Sequence, residues 1–244
     1  MFLRPVRPPQ TLRGHPQAGR SFSERGRIAA VLVIVADDYG YAGAYDDGIL
    51  AAVRAQAVDA VGVMVLRDPP AEILLEACAE AQIDVGLHLE SLADASLNTQ
   101  LDAFRRLFGR PPAYVDGHHH CHAADPDTAR HVALAALEHG IPVRAVGEGH
   151  RALLRGLGVA TADRLVGRLD EAEPLVPEEI DALLAGTGLS GATEWMVHPG
   201  RAGGPSSYDA GRERDLEELL RLGDRASWRS RGILRAPPSR AGLR

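Results

Sequence analysis

Residues 29–40 read Ala-Ala-Val-Leu-Val-Ile-Val-Ala-Asp-Asp-Tyr-Gly, an unbroken apolar run that ends in two adjacent acids. A run of this length, rich in β-branched residues and bounded by polar ones, predicts a strand buried on both faces. Strands of that kind occur in parallel sheets whose two faces are covered by helices. The run therefore predicts an α/β protein, with Asp37 and Asp38 at the carboxyl end of a central strand.

Helical and strand patterns alternate along the rest of the chain, in units of about 25 to 35 residues. This alternation predicts βαβ crossovers and a parallel sheet or barrel. The predicted strands cover residues 58–66, 83–89, 113–115, 141–146 and 193–197. The predicted helices cover residues 43–56, 70–81, 97–108, 126–139 and 211–222, with a further helix over 177–185.

The ends of the chain differ from its middle. Residues 1–28 are rich in arginine and proline and lack the apolar segment of a secretory signal, so they predict a disordered or mis-assigned N-terminal arm. Residues 29–236 predict one catalytic barrel domain, and residues 237–244 predict a disordered tail. A length of 244 residues agrees with one large domain.

Composition excludes several classes of partner. The net charge of −6 argues against binding to nucleic acid, which needs a basic face. No apolar run reaches the roughly 20 residues of a membrane span, so no membrane partner is expected. Two cysteines, Cys78 and Cys121, do not form a disulfide framework, which favours a reducing cytoplasm.

Acidic and histidine side chains follow the ends of several predicted strands. They are the Asp37–Asp38 pair, His88, the histidine-rich stretch that begins at His118, and His198. Each alone has a structural explanation, such as a helix cap, a hydrogen-bonded core histidine or a turn. Because parallel α/β folds build their sites at the carboxyl ends of the strands, their shared position predicts a metal-dependent site.

The residue types indicate hydrolysis. One aspartate oxygen and two imidazole nitrogens leave coordination positions open, as in catalytic metal sites. A divalent ion polarises a carbonyl and lowers the pKa of water, while a nearby carboxylate serves as general base and a further histidine as general acid. These groups are the equipment for cleaving an amide or an ester.

Four blocks resemble the signature blocks of the YdjC-like carbohydrate deacetylases, the best-known activity of which is chitooligosaccharide deacetylation. The blocks are Ala36-Asp37-Asp38-Tyr39-Gly40, Gly86-Leu87-His88-Leu89, Asp116-Gly117-His118-His119-His120-Cys121-His122 and Glu194-Trp195-Met196-Val197-His198-Pro199-Gly200. The resemblance spans about residues 30–235. It implies a deformed TIM-like (β/α) barrel, similar in layout to polysaccharide deacetylases, and a homodimer.

The resemblance also implies roles for individual residues. Asp38, His88 and His118 match the metal ligands, Asp37 matches the general base, and we assign His198 as the general acid. Water activated by the metal would attack the acetamide carbonyl of an N-acetylated sugar, and His198 would protonate the departing amine.

Four further residues are expected to support that site. Asp116, His120 and His122 would orient the ligands or contact the substrate, since ligating imidazoles need hydrogen-bonded partners. Arg144 is expected to contact the substrate or to support the ligands. The cofactor is expected to be one divalent ion: two imidazoles favour zinc, nickel or cobalt, whereas the family resemblance implies magnesium.

Two other functions stay open at the level of sequence. One is a barrel-type metal phosphoesterase or another amidohydrolase, although phosphoesterases usually use two or three ions. The other is a catalytically silent sugar-binding relative, which would have no need of Asp37. The chain departs from the family in the short segment over 90–107, in the apolar second strand and in residues 201–210, so substrate identity is left open.

Overall fold

The computed structural model describes residues 31–167, 181–182, 185 and 191–244. The predicted N-terminal arm over residues 1–28 lies outside the described residues, and so does most of the helix predicted over 177–185. In the described part of the chain, no helix combines the length and the apolar character that crossing a membrane would require.

Strands and helices alternate as the sequence predicts. The strands are β1 Val31–Tyr39, β2 Ala60–Val63, β3 Asp84–Leu89, β4 Val115–Gly117, β5 Arg164–Val166, β6 Ala192–Val197 and β7 Leu234–Arg235. The α-helices are α1 Gly43–Arg54, α2 Ala71–Ala81, α3 Leu97–Phe108, α4 Pro126–Glu138, α5 Gly147–Leu157, α6 Asp209–Leu222 and α7 Arg225–Ser230. Short 3-10 turns cover Val65–Arg67, His118–Ala123 and Pro238–Arg240.

The strands form one parallel sheet that curls towards closure. Its order is β4-β3-β2-β1-β6-β5, and β7 pairs with the start of β1. Beyond β4 the wall of the barrel continues through Val143, which forms a β-bridge with Val115 and donates its N–H to the carbonyl of Ala160. The predicted deformed TIM-like (β/α) barrel is thereby confirmed, with β1 as its central strand.

Side chains of β1 alternate between two environments, as the pleat of a strand requires. Leu32, Ile34 and Ala36 belong to the large core between the sheet and the helices. Val31, Val33 and Val35 belong to a small core inside the barrel. The next residue of inward parity is Asp37, so the strand pattern itself brings this carboxylate into the barrel. The inward-facing positions of β1 are therefore valines towards its amino end and an aspartate at its carboxyl end.

Inward-facing glycines make room for larger side chains in the barrel. A side chain on Gly86 of β3 would collide with the ring of Tyr114. A Cβ on Gly62 of β2 would lie 3.2 Å from Cβ of His88 and 3.3 Å from its Nδ1. The two glycines thus leave space for the ring of Tyr114 and for the imidazole of His88, a candidate metal ligand.

The C-terminal residues differ from the predicted disordered tail. Ala241 is buried in the small core inside the barrel and Leu243 packs against it. The backbone of Arg244 exchanges two hydrogen bonds with that of Thr161, at N···O distances of 2.9 and 3.3 Å. The prediction failed because these few apolar side chains have no periodicity, yet they close the amino end of the barrel.

The segment over 141–146 also differs from the sequence prediction. It forms a single bridge at Val143 rather than a strand, while the N–H of Arg144 donates to the carbonyl of Val115. The short strands β5 and β7 and the helices α5 and α7 were not predicted. The segment nevertheless completes the wall of the barrel and directs Arg144 into its interior.

Candidate metal centre

Asp37 and Asp38 both face the site, although successive side chains of a regular strand point to opposite faces. The pairing of β1 with β2 shifts register between Ala36 and Tyr39, which marks a bulge. Asp38 has φ 75°, a left-handed conformation that aspartate tolerates better than most residues. The bulge turns Asp38 inward beside Asp37, so two carboxylates from adjacent positions reach one site.

Asp38, His88 and His118 form a compact set of potential ligands. Asp38 Oδ1 lies 3.1 Å from His88 Nε2 and 2.8 Å from His118 Nδ1. One potential ligand atom from each residue lies within 4.8 Å of the others. An oxygen and two imidazole nitrogens at this spacing suit a divalent ion and leave positions open, and the ligands come from β1, β3 and the turn after β4. The residues present therefore fit the expected metal.

A hydrogen bond fixes the orientation of the His88 ring. Its Nδ1 lies 2.7 Å from Asp116 Oδ1, so that Nε2 is directed at Asp38. His88 and Asp116 are partners in the register of β3 and β4. Both side chains are buried. A carboxylate behind the far nitrogen of an imidazole is the arrangement that holds metal-ligating histidines in one tautomer.

Arg144 is the centre of a buried network of three carboxylates. Its Nη1 and Nη2 donate to the two oxygens of Asp37 at 2.6 and 2.9 Å. Its Nε donates to Glu194 Oε1 at 2.5 Å, and its Nη2 lies 2.8 Å from Asp116 Oδ2. The guanidinium is fully buried, so its charge is neutralised by these acids rather than by water.

A second arginine holds the other oxygen of Asp38. Arg212 Nη2 from α6 donates to Asp38 Oδ2 at 2.5 Å. Its guanidinium carbon lies 4.2 Å from the ring centroid of Tyr45, so the cation also rests on an aromatic face. Since Oδ2 is engaged by Arg212, Oδ1 is the oxygen that faces the two histidines.

Burial and charge act in opposite directions on the acids of the site. Burial alone would raise the pKa of Asp37, but the charge and hydrogen bonds of Arg144 together with the charge of His88 outweigh burial and lower that pKa to about 2. Burial opposes the ionisation of Asp38 as well, and hydrogen bonds from His118 and His88 hold its pKa well below the usual value. Both carboxylates are therefore ionised at neutral pH.

His198 lies at the end of β6, half-buried on the same rim. Its backbone N–H donates to Asp215 Oδ2 at 3.1 Å, and its ring centroid is 6.0 Å from that of Tyr208. Tyr208 donates its hydroxyl to Asp215 Oδ1 at 3.0 Å. Asp215 therefore ties the carboxyl end of β6 to α6 beside the candidate general acid.

The remaining histidines of the cluster occupy different surroundings. His122 is fully buried, and its Nε2 lies 3.1 Å from the carbonyl oxygen of Arg144. His120 is half-buried, and burial lowers its pKa to about 4, with Arg144 adding to the effect. His119 and His120 adopt left-handed backbone angles, with φ 49° and 55°, so the turn presents successive imidazoles in different directions.

The structure brings most of the predicted residues together through direct contacts. Asp38, His88 and His118 form one set, and Asp37, Asp116 and Arg144 form the network behind it. Sequence reasoning did not single out Glu194, Arg212 or Asp215. Glu194 lies within a block that carries the family resemblance, which was the available signal, whereas Arg212 and Asp215 lie outside those blocks.

The model of the family described as YdjC-like protein matches residues 31–96 and 91–232 of the chain. Among curated proteins, the carbohydrate deacetylase of Mus musculus is 29% identical over 151 aligned positions, covering 45% of this chain and 48% of that protein. The carbohydrate deacetylase of Homo sapiens is 28% identical, with 45% and 46% covered. The chain thus spans about half the length of the curated relatives it matches.

Solved structures share the fold. The "putative cellobiose-phosphate cleavage protein" of Enterococcus faecalis has a TM-score of 0.66 at 20% identity, covering 86% of this chain and 97% of that one. The lactam utilization protein of Thermus thermophilus has a TM-score of 0.53 at 15% identity, with 84% and 99% covered. At these identities the likeness establishes the architecture of the barrel.

Proposed function

The chain belongs to the YdjC-like protein family, and we propose that it is a metal-dependent hydrolase that removes acetyl groups from N-acetylated sugars. The curated relatives described as carbohydrate deacetylases support this proposal. The site supports it through one observation above all. Asp37 lies beside the ligand set, and Arg144 donates to both of its oxygens, so the carboxylate is fixed in orientation, as suits a general base.

Asp38, His88 and His118 would hold one divalent ion in the proposed site. When bound, the ion would polarise the acetyl carbonyl and lower the pKa of a nearby water. The two imidazoles favour zinc or a similar borderline ion, whereas magnesium prefers oxygen ligands. We propose Zn²⁺ or Mg²⁺ as the two ions to compare, with tighter binding of zinc.

Asp37 would accept the proton of the attacking water. Its carboxylate is ionised at neutral pH and is fixed by two hydrogen bonds from Arg144, so it cannot rotate away. Each of its oxygens keeps a lone pair that can accept a further hydrogen bond. The clamp by Arg144 keeps the base oriented, which is how positioned groups accelerate proton transfer.

His198 would donate the proton that the leaving nitrogen needs. In the reaction, a C–O bond forms as water adds to the acetyl carbon and the C–N bond then breaks. The nitrogen leaves as a free amine once His198 protonates it, and the products are acetate and the amino sugar. Asp215 accepts from the backbone N–H of His198, which anchors the end of β6 that carries the ring.

Asp116 and the buried His122 would support the site rather than meet the substrate, since both are fully buried. His120 is half-buried and is the member of the turn that we propose as a substrate contact. We assign Arg144 to the support of Asp37, because its guanidinium has no exposed surface through which a sugar could reach it.

We also propose a homodimer, on the family resemblance, and a cytoplasmic location. Both cysteines, Cys78 and Cys121, are unpaired, which is in keeping with a reducing compartment. Light scattering on the purified protein tests the dimer, and fractionation of cells that produce it tests the location.

The test of the proposed function is acetate release from N-acetylglucosamine oligomers by protein loaded with Zn²⁺ or Mg²⁺. Wild type should release acetate, His118→Ala should not, and His139→Ala should match wild type because His139 is exposed at the end of α4. Absence of release with an ion bound would defeat the assignment. Hydrolysis of bis(4-nitrophenyl) phosphate under those conditions would favour the phosphoesterase.

A further inference from the structure

Two sets of potential metal ligands share one histidine. The first set is Asp38, His88 and His118, and the second is Asp37, His88 and Asp116, each with ligand atoms within 4.8 Å of one another. The His88 ring serves both, with Nε2 at 3.1 Å from Asp38 and Nδ1 at 2.7 Å from Asp116. Two carboxylates and an imidazole nitrogen would suit a divalent ion in the second set as well.

A protein cation already occupies the second set. The guanidinium of Arg144 lies between Asp37 and Asp116, with N···O distances of 2.6 to 2.9 Å, and its Nε binds Glu194. Asp116 Oδ2 lies 2.8 Å from Nη2 but makes no hydrogen bond, so charge alone pairs these atoms. The side chain of Arg144 has no exposed surface, so the guanidinium cannot leave the site without opening the barrel.

The charges of the buried site balance for one divalent ion. Four buried acids meet here, namely Asp37, Asp38, Asp116 and Glu194. Two buried arginines pair with them, Arg144 with three acids and Arg212 with Asp38. The two positive charges that remain to be supplied are those of a single divalent ion, and burial makes an imbalance of charge costly.

We propose that Arg144 takes the place of a second metal ion and thereby restricts this site to one. The inference rests on the proposed function, because it takes the first ligand set as the metal site. It explains how a site with four acids serves one-ion amide hydrolysis instead of the two-ion chemistry of many phosphoesterases. Removal of the guanidinium would expose a latent site for a divalent cation formed by Asp37, Asp116 and His88 Nδ1, which would release its proton to solvent as the second ion binds.

The test counts ions bound by the full chain in saturating Zn²⁺ and, separately, Mn²⁺, using equilibrium dialysis with elemental analysis. Wild type should bind one ion, and Arg144→Ala should bind two. Adding Asp116→Asn to Arg144→Ala should return the count to one. Arg235→Gln is the matched control, since it also removes a buried positive charge next to an acid, Asp59, but lies outside the site and leaves the second set filled by Arg144, so it should stay at one.

Circular dichroism establishes that each variant is folded. If Arg144→Ala folds poorly without metal, Arg144→Gln provides the second variant, because its amide can still donate to Asp37 although the positive charge is gone. It should also bind two ions. One ion in both folded variants would overturn this inference alone, while acetate release by wild type would leave the proposed function standing. Two ions in wild type would also overturn it. No ion in wild type would defeat the metal site itself.

Discussion

The carboxylates of Asp37 and Asp38 face the same site although the two residues are adjacent in β1. A bulge and the left-handed backbone of Asp38 produce this arrangement. The two acids are then separated by their partners, since Asp37 binds Arg144 and Asp38 binds Arg212 and the two histidines. In the proposed function, Asp38 would bind the metal and Asp37 would accept a proton.

Replacing Asp37 by asparagine should separate metal binding from catalysis. The amide oxygen of the new side chain could still accept a hydrogen bond from Arg144, and the set of Asp38, His88 and His118 is untouched, so metal content should stay at the wild-type value. Acetate release should fall at least about a hundredfold, because the proton acceptor is lost. Elemental analysis and acetate assays on the same samples check both parts. Loss of the metal together with activity would place Asp37 among the ligands.

Asp116→Ala should weaken metal binding without removing a ligand of the first set. The change deletes the carboxylate behind His88, so the imidazole loses its fixed orientation, and affinity should drop about 10- to 100-fold. Isothermal titration with Zn²⁺ measures this. Asp102→Ala, which removes an exposed carboxylate on α3, is the control and should bind like wild type. Equal affinities for both variants would rule out an orienting role for Asp116.

Asp46 should make stability depend on pH. Burial raises its pKa to about 6 in the folded protein, against an ordinary value of 3.8. The folded state then holds the proton more tightly than the unfolded state does. The contribution of Asp46 to the free energy of unfolding is therefore fully present below about pH 4 and is lost as pH rises through about 6. Asp46→Asn stays neutral and can still accept from the N–H of Gly40.

The variant should therefore gain stability relative to wild type as pH rises from about 4 to 7, by about 1–2 kcal/mol after allowance for partial exposure. Urea unfolding of both proteins at several pH values measures the difference. A constant difference across this range would show that Asp46 titrates at its ordinary pKa.

Asp59→Ala should destabilise the fold while sparing the site. Asp59 is fully buried just before β2 and accepts from the backbone N–H of Ile34 and from Arg225 and Arg235. Its loss would leave the buried guanidinium of Arg235 without its acid, at a cost of about 3–5 kcal/mol. Urea unfolding should show this loss, whereas Asp102→Ala should shift stability by less than about 1 kcal/mol. A similar small shift for both would mean that Asp59 is solvated.

Helices could be predicted from the sequence where the residues that begin and end them lie next to them in the chain. Helix α3 has the predicted limits, because Ser96 accepts from the N–H of Thr99 at its start and Gly109 adopts φ 64° just after its end. Helix α5 was not predicted, since glycines at 147, 149 and 156 lower its helix propensity. Its helical conformation depends instead on tertiary packing around Leu154.

The candidate ligands could be predicted because each lies in a compact block at the end of a strand. Their supporting partners could not, since Arg144 is 107 residues from Asp37 and Arg212 is 174 residues from Asp38. An arginine at either position looks like any surface arginine until the barrel closes around it. The sequence accordingly left Arg144 as a residue for the substrate or for the support of the ligands, and burial favours support.

The measurement that tests the central claim most directly is acetate release as a function of the divalent ion added back to metal-free protein. If Asp38, His88 and His118 hold one ion that the reaction requires, release should rise in proportion to the added ion and level off at one equivalent per chain. Release by the metal-free protein, or none with one ion bound, would contradict the account.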